Sequence, residues 1–540
     1  MQIPRWTWWF LAIVAFPAFL LHLGLVPFID DEGNRATVAL EMLWQHNFVT
    51  PTLHGDYYYN KPPLWNWILA LSFTLFGQAG EWQARVSAVL SLFGFAATVY
   101  YFARPHIGSA RALLSALMLI TCGRILFWES MLGLIDIAFS WVMFALFMVV
   151  YEYGKRQEWW KMLLFSYWLM VVGFMFKGLP AIVFQGITLL TFITMYRQWR
   201  LLFSVQHIAS GLLSLVLLGG YYGIYHQYND ISEVFRALFS ESGKRTAAAY
   251  GLLDTLQHIA RFPTVVFYHF LPWTLLVLLA WQRTNRAAVW QNPFLRYSLI
   301  LLLAQIAIYW LSPNFYPRYI LMLLPLGFMA LAQLIPEQPS KLRQVVHVLF
   351  GIILSLLAFV PIGALFVEAV QQLPYIHAKA IMTTGLLVVI VWRYWQQPSQ
   401  GFFLFAAGLL VFRIGFNLIA LPPRAFPTAS AMQFKQSTVA CAQRWQQREV
   451  AVFFETHVEP ASSFYLQHTM QRIIPRHTSG FNRGTYYIFN PDQYDPALFS
   501  EVVDSFLVRH ADSDHYYLGK LSTTDTTLIR HLTIGERPGF

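Results

Sequence analysis

The stretch FIDDEGNRATVALEMLWQHNFVTPTLHGDYYYNKPPLWNWILALSFTLFG, residues 28–77, decides how the chain is read. It follows a first apolar run and holds, in order, three acids, a helical stretch, three tyrosines, one lysine ahead of two prolines, and a second apolar run. Residues 33–47 have helical periodicity, with Val38, Leu40, Met42 and Leu43 alternating with polar groups, which predicts an amphipathic helix at a membrane interface. Residues 64–76 are apolar but shorter than the roughly 20 residues that cross a bilayer, which predicts a re-entrant or interfacial segment.

Composition agrees with a membrane setting. Of 540 residues, 57% are hydrophobic, 17% aromatic and only 12% charged, a balance that fits poorly with several soluble surfaces. The net charge of +10 does not imply nucleic acid, because Lys and Arg fall in short groups between apolar runs and form no basic stripe. Cys122 and Cys441 make neither a CxxC motif nor an expected disulfide, so redox chemistry is unsupported. The N-terminal run has no A-x-A type cleavage site after its apolar region and is read as a retained first span.

Windows of about 20 apolar residues give about thirteen candidate spans. They lie near 6–27, 82–103, 110–127, 132–151, 160–176, 179–195, 202–225, 264–281, 297–311, 318–335, 344–366, 378–394 and 401–420. Connectors holding Arg104, Arg111, Lys155, Arg156, Lys161, Arg197, Arg200, Arg283, Arg286, Arg296, Lys341, Arg343 and Arg393 fall on one side, which the positive-inside rule makes cytoplasmic. The N-terminus is then inside and the C-terminus outside. Residues 1–421 form the membrane domain, with the outer loop 28–81 and its interfacial helices, and 422–540 an outer soluble α/β domain. Within the latter REVAVFFE, TYYIFN and HYYLGKL read as short strands. No repeat or low-complexity segment is visible.

The outer side collects the candidate chemistry. Asp30, Asp31 and Glu32 either cap the interfacial helix or supply a general base or metal ligand. Asp136, with Glu129 ahead of it, is either a helix start or a functional carboxylate beside a span. Lys177 either snorkels or serves the outer face, against the positive-inside trend. Lys61, stiffened by Pro62 and Pro63 and set after Tyr57, Tyr58 and Tyr59, is either an interfacial anchor or a contact for a lipid phosphate. Arg318, between Tyr316 and Tyr319, is a second phosphate candidate, and His269 is a structural histidine or a ligand.

With these residues in view, the chain resembles the bacterial 4-amino-4-deoxy-L-arabinose transferases and the related protein O-mannosyltransferases, membrane glycosyltransferases of the C-type fold. The matching motifs, in order, are DDEGNRA, YYYNKPPLWNW, LIDIAFS, FKGLPAIV, YHFLPW and PRYILMLLP, within about residues 1–335; the remainder matches by layout. The resemblance implies a bacterial inner-membrane enzyme with a periplasmic active site and C-terminal domain. It implies inverting transfer of a sugar from a polyprenyl phosphate, undecaprenyl phosphate in bacteria, to a lipid A-like glycolipid, a polysaccharide or a protein, with no nucleotide cofactor. On matching positions, Asp31 would be the catalytic base, with Glu32 in the same motif, Lys61 the donor-phosphate contact and Asp136 a second active-site carboxylate. Lys177 and Arg318 would be donor-headgroup or structural contacts, and Tyr58, Tyr59 and Tyr319 are the further candidate substrate-binding residues. In the aminoarabinose transferases a glutamate stands before the lysine and, with a histidine corresponding to His269, holds a divalent metal such as zinc, magnesium or manganese. Here Asn60 takes that place, and an amide is a poor zinc ligand.

A flippase for polyprenyl-linked sugars would also need many spans and a basic phosphate contact, but should place ionisable groups at mid-membrane, often in paired repeats. A membrane-anchored binding protein would leave Asp31, Lys61 and Asp136 without a task.

Overall fold

The computed structural model describes residues 3, 6–243, 251–338, 340–508 and 515–522. The helices used below are, in chain order, α1 (Glu32–Gln45), α2 (Leu64–Phe76), α3 (Glu81–Ile107), α4 (Ser109–Thr121), α5 (Asp136–Lys155), α6 (Trp159–Lys177), α7 (Pro180–Tyr196), α8 (Val205–His226), α9 (Leu252–His269), α10 (Pro293–Trp310), α11 (Lys341–Gly363), α12 (Ile376–Gln396), α13 (Gly401–Gly415), α14 (Ser430–Arg444) and α15 (Pro460–Met470). The strands are β1 (Thr52–Leu53), β2 (Asp56–Tyr57), β3 (Val450–Phe453), β4 (Arg476–His477), β5 (Tyr486–Phe489), β6 (Phe499–Leu507) and β7 (His515–Leu521). Contacts group the chain into two units: Met1–Leu23, Tyr59–Leu64 and Arg85–Ala420 in one, Gly24–Tyr58, Trp65–Ala84 and Leu421–Phe540 in the other.

The first unit is the helical one. Across the described residues eight helices are long and apolar enough to cross a membrane, or ten if each of two bent pairs is one span. Three further expected spans fall on shorter apolar helices, Trp6–Leu20, Pro180–Tyr196 and Pro317–Gln333. Two expected spans are not straight. The one near 110–127 bends by 44° where Cys122, extended at φ −68° and ψ 145°, interrupts the helix between α4 and Gly123. The one near 264–281 begins at Leu252 and turns by 112° between α9 and the tightly wound Trp273–Trp281. The helix stops at His269, ahead of Pro272, because proline lacks an N–H and the residue before it avoids helical angles.

Small residues let these helices approach closely. A Cβ on Gly94 of α3 would sit 2.6 Å from the Trp141 ring of α5, and one on Gly154 of α5 would sit 2.3 Å from Phe192 of α7. Arg413 of α13 is buried, its Nε donating to the Ala18 carbonyl at 3.2 Å and its Nη1 to that of Leu126.

The second unit holds a two-stranded hairpin and a five-stranded sheet. Strands β1 and β2 are antiparallel, joined by His54 at φ 57° and Gly55 at φ 77°, the left-handed pair that a tight hairpin turn needs. The larger sheet has the order β4-β3-β5-β7-β6, with β3 parallel to β4 and β5, and β7 antiparallel to β5 and β6. Strand β3 is buried on both faces: Val450 and Val452 pack with Leu466, Ile488 and Phe506, and Ala451 and Phe453 with Tyr487, Phe489 and Phe499. Three strands fall where expected, within REVAVFFE, TYYIFN and HYYLGKL. The expected α/β domain also takes in residues 509–514 and 523–540, which lie outside the described residues.

Helix α1 forms where the periodicity predicts, but its polar side is not solvated: Arg35, Thr37 and Glu41 are buried. The reason is α15, which lies so close that a Cβ on Gly33 would come 2.2 Å from the Pro460 carbonyl oxygen. Helix α2 has 13 residues, about 20 Å, short of a hydrocarbon core of about 30 Å.

Candidate active site

In the helical unit, α5 and α6 are joined by a short turn at residues 156–158 and so run antiparallel, bringing the first residue of α5 beside the last of α6. Asp136 at a helix start and Lys177 at a helix end each also suit the local dipole. Lys177 Nζ donates to Asp136 Oδ1 at 2.5 Å, and Arg318 Nε lies 3.9 Å from Oδ2. The three side chains are only 7%, 9% and 13% exposed for Asp136, Lys177 and Arg318, so the charges are largely out of water and depend on one another. Aromatic rings complete the surround: Lys177 Nζ is 4.7 Å from the Tyr319 ring and 5.3 Å from Phe139, and the Arg318 guanidinium is 5.1 Å from Tyr316. Buried Glu129 accepts from Arg124 Nε at 2.7 Å and lies within electrostatic reach of Asp136 and Arg318. Asp136 thus answers Lys177 and Arg318, and Glu129 answers Arg124.

The turn around Lys61 belongs to the same unit from Tyr59 onward. Asn229, just past α8, donates through Nδ2 to Tyr59 Oη at 2.9 Å and to Tyr225 Oη at 3.0 Å, tethering the turn. Lys61 is half-buried and Asn60 exposed. His269 is the last residue of α9, and the loop after it is pinned by the Gly123 N–H donating to the Leu271 carbonyl at 2.7 Å. Among the described residues no three His, Cys, Asp or Glu side chains gather as metal ligands. Asn60 and His269 alone offer one amide and one imidazole, which is not a zinc set.

In the second unit Asp31 is the N-cap of α1, and its side chain is 36% exposed. Arg35, one turn on, donates Nε at 3.0 Å and Nη2 at 2.5 Å to Asp31 Oδ2, and Asn34 Nδ2 donates to Oδ1 at 3.1 Å. The Arg35 guanidinium rests 5.5 Å from the ring of buried Tyr58. Glu32 is buried and its Oε2 accepts from the Ile29 N–H at 2.9 Å, stitching the start of the helix.

Behind this lies a buried polar network. Glu41 Oε1 accepts from the His54 N–H at 2.7 Å and Gln467 Nε2 at 2.8 Å; its Oε2 accepts from Thr52 Oγ1 at 2.6 Å and the Gly55 N–H at 3.2 Å. Burial holds the Glu41 carboxyl above the usual carboxylate range, against the pull of these four donors. Arg35 was not singled out, though an opposite charge four residues after Asp31 is a signal that could have found it. Arg124, Asn229, Glu41, His54 and Gln467 were not singled out: Gln467 is 426 residues from Glu41, and nothing local announces the pairing.

The fold is that of a multi-pass membrane protein of the C-type glycosyltransferase architecture. The structure is similar to that of ArnT from Cupriavidus metallidurans bound to undecaprenyl phosphate, covering 95% of this chain and 98% of that one with a TM-score of 0.69 at 18% identity.

More particularly, residues 60–221 match the family model described as dolichyl-phosphate-mannose-protein mannosyltransferase. The chain resembles the undecaprenyl phosphate-alpha-4-amino-4-deoxy-L-arabinose arabinosyl transferase of Pseudomonas paraeruginosa, 25% identical over 441 residues, 78% of this chain and 76% of that protein. It is also 33% identical over 108 residues to an uncharacterized protein of Aquifex aeolicus, a match taking in 20% of this chain and 26% of that relative. A second Aquifex aeolicus protein is 25% identical over 244 residues, so the chain spans about half of that relative's length, 47%.

Proposed function

We propose that the chain is a bacterial inner-membrane glycosyltransferase that moves a sugar from a polyprenyl phosphate to a lipid A-like glycolipid, a polysaccharide or a protein at the periplasmic face. The observation that carries this reading is the likeness to an arabinosyl transferase named for its undecaprenyl-phosphate sugar, over about three quarters of both chains. In the proposed step the acceptor hydroxyl oxygen attacks the anomeric carbon from the face opposite the phosphate. The carbon–oxygen bond to phosphate breaks with its electron pair going to the phosphate oxygen, and the hydroxyl proton passes to the Asp31 carboxylate, whose Oδ2 accepts from Arg35 and whose Oδ1 accepts from Asn34. Lys61 takes the donor phosphate, whose growing charge a fixed ammonium stabilises. Asp136 serves as a second active-site carboxylate and holds Lys177; Lys177, Arg318, Tyr319, Tyr58 and Tyr59 are each proposed as substrate contacts.

The test is transfer by the reconstituted full chain from a panel of labelled undecaprenyl-phosphate sugars, 4-amino-4-deoxy-L-arabinose included, to lipid A, polysaccharide and protein acceptors. Asp31→Asn is expected to lower the rate about 10²–10⁴-fold, the usual share of a general base, and Lys61→Ala chiefly to weaken donor use. Parent-like transfer by both variants overturns these roles, and labelled donor crossing the bilayer with no product formed turns the reading to a flippase.

A further inference from the structure

Asp31 reaches its place through contacts that begin on α15, more than 400 positions along the chain. Three anchors flank it within the second unit. Before it, the Phe28 N–H donates to Tyr465 Oη at 2.9 Å, and the Phe28 ring packs edge-on against Phe464 at 4.9 Å. The Tyr465 hydroxyl in turn donates to Glu81 Oε1 at 2.8 Å, and Lys435 Nζ is 2.5 Å from that same oxygen. The hydroxyl therefore has a defined sense: its proton goes to the carboxylate and its lone pair receives Phe28. After Asp31, the bare backbone of Gly33 lies against the start of α15, where a Cβ would meet the Pro460 oxygen at 2.2 Å and the Ala461 nitrogen at 2.5 Å. Further on, Gln467 holds Glu41, which also receives the hairpin through Thr52, His54 and Gly55.

We infer that α15 is a positioning element of the proposed catalytic step, with Tyr465, Gln467 and the close approach at Gly33 setting where the Asp31 carboxylate stands. This rests on the reading of Asp31 as the base. The C-terminal α/β fold then acts as part of the enzyme and not as an appended binding module. Tyr465, Gln467 and Pro460 act through α1 and through Arg35, which holds the Asp31 oxygen. Rates respond steeply to such placement, since a shift of about 1 Å in a reacting group costs about 10²-fold.

Full-length Tyr465→Phe, Gly33→Ala and Asp31→Asn, and the double variants of the first two with the third, are compared using the panel donor that supports transfer. Tyr465→Phe is expected to lower kcat about tenfold with donor KM within about twofold, and Gly33→Ala to lower kcat about 100-fold. Alanine is the better helix former, so a loss at Gly33 reports the displaced contact and not a weaker helix. In the Asp31→Asn background neither change should cost anything more, because residues acting through one group are not additive. Hydrogen exchange of the amides of residues 28–35 should quicken in Tyr465→Phe, a readout that needs no turnover. Parent-like kcat and exchange in Tyr465→Phe, or a full additive loss on top of Asp31→Asn, overturns the positioning role while leaving Asp31 as base. Parent-like kcat in Asp31→Asn removes the base reading itself and the inference with it.

Discussion

His54 shows how far one side chain's behaviour depends on surroundings that its own neighbours in sequence do not reveal. It sits at the hairpin turn, fully buried. The Ile474 carbonyl can only accept, so Nδ1 carries the proton toward it at 3.1 Å, and Nε2 accepts from Ser463 Oγ at 2.9 Å. Desolvation first, and then the charges of Arg476 and His457, push the imidazole down to about 3 from its ordinary 6.5. A folded-state value below the unfolded one means the unfolded chain binds the extra proton, so the contribution to stability is complete above pH 6.5 and is lost as pH falls from 6.5 toward 3. The loss reaches roughly 2 kcal/mol by pH 5. Glu41 works the other way, since its raised value makes stability fall as pH climbs past 4.5. His54→Gln isolates the histidine: the parent's melting temperature should drop more between pH 8 and pH 5 than the variant's, and equal drops would sink the assignment. By contrast Asp31, Lys61, Asp136, Lys177 and Arg318 stand out in the bare sequence, because an ionisable group beside an apolar run is costly and needs a reason.

Among the elements, those whose character is local were the legible ones. Helices α1 and α2 and strands β3, β5 and β7 follow from periodicity or from β-branched and aromatic runs. Strand β6 was not singled out because SEVVD alternates poorly, and register shifts at Phe499/Glu501 and Val502/Asp504 put extra residues into its pairing with β7. The bends at Cys122 and beyond His269 were hidden too, since hydropathy windows count apolar residues and do not see a change of direction. Helix crossings depend on single small residues. Gly94→Val would drive side-chain atoms into the Trp141 indole, whose Nε1 donates to Thr98 Oγ1 at 2.7 Å, and overpacking of this kind costs about 1–3 kcal/mol. Thermal stability in detergent should fall for Gly94→Val and stay level or rise for Gly223→Ala, where an added Cβ meets nothing within 4 Å. A parent-like melting curve for Gly94→Val would show that α3 and α5 can part at no cost.

At the scale of the whole molecule, the orientation proposed from the basic connectors is open to a direct chemical test. Cys122 and Cys441 are both buried, so added cysteines can be read against a low background. Arg156→Cys, after α5, should react with a membrane-impermeant maleimide only once cells are permeabilised, and Arg483→Cys, between β4 and β5, should react in intact spheroplasts. The reverse pattern would invert the topology. The sequence by itself determined that this is a multi-pass membrane protein, which polar residues had to be explained, and which superfamily it resembles. Those properties reside in apolar run length, in the sign of charge between runs and in short motifs, all readable within a few dozen residues. Only the tertiary structure decided which polar groups answer one another: Asp136 with Lys177 across 41 positions, Gln467 with Glu41 across 426. It also decided that the polar side of α1 is buried against α15 instead of solvated. The physical reason is that a buried carboxylate must find donors somewhere, while nothing in its local sequence says where along the chain those donors come from.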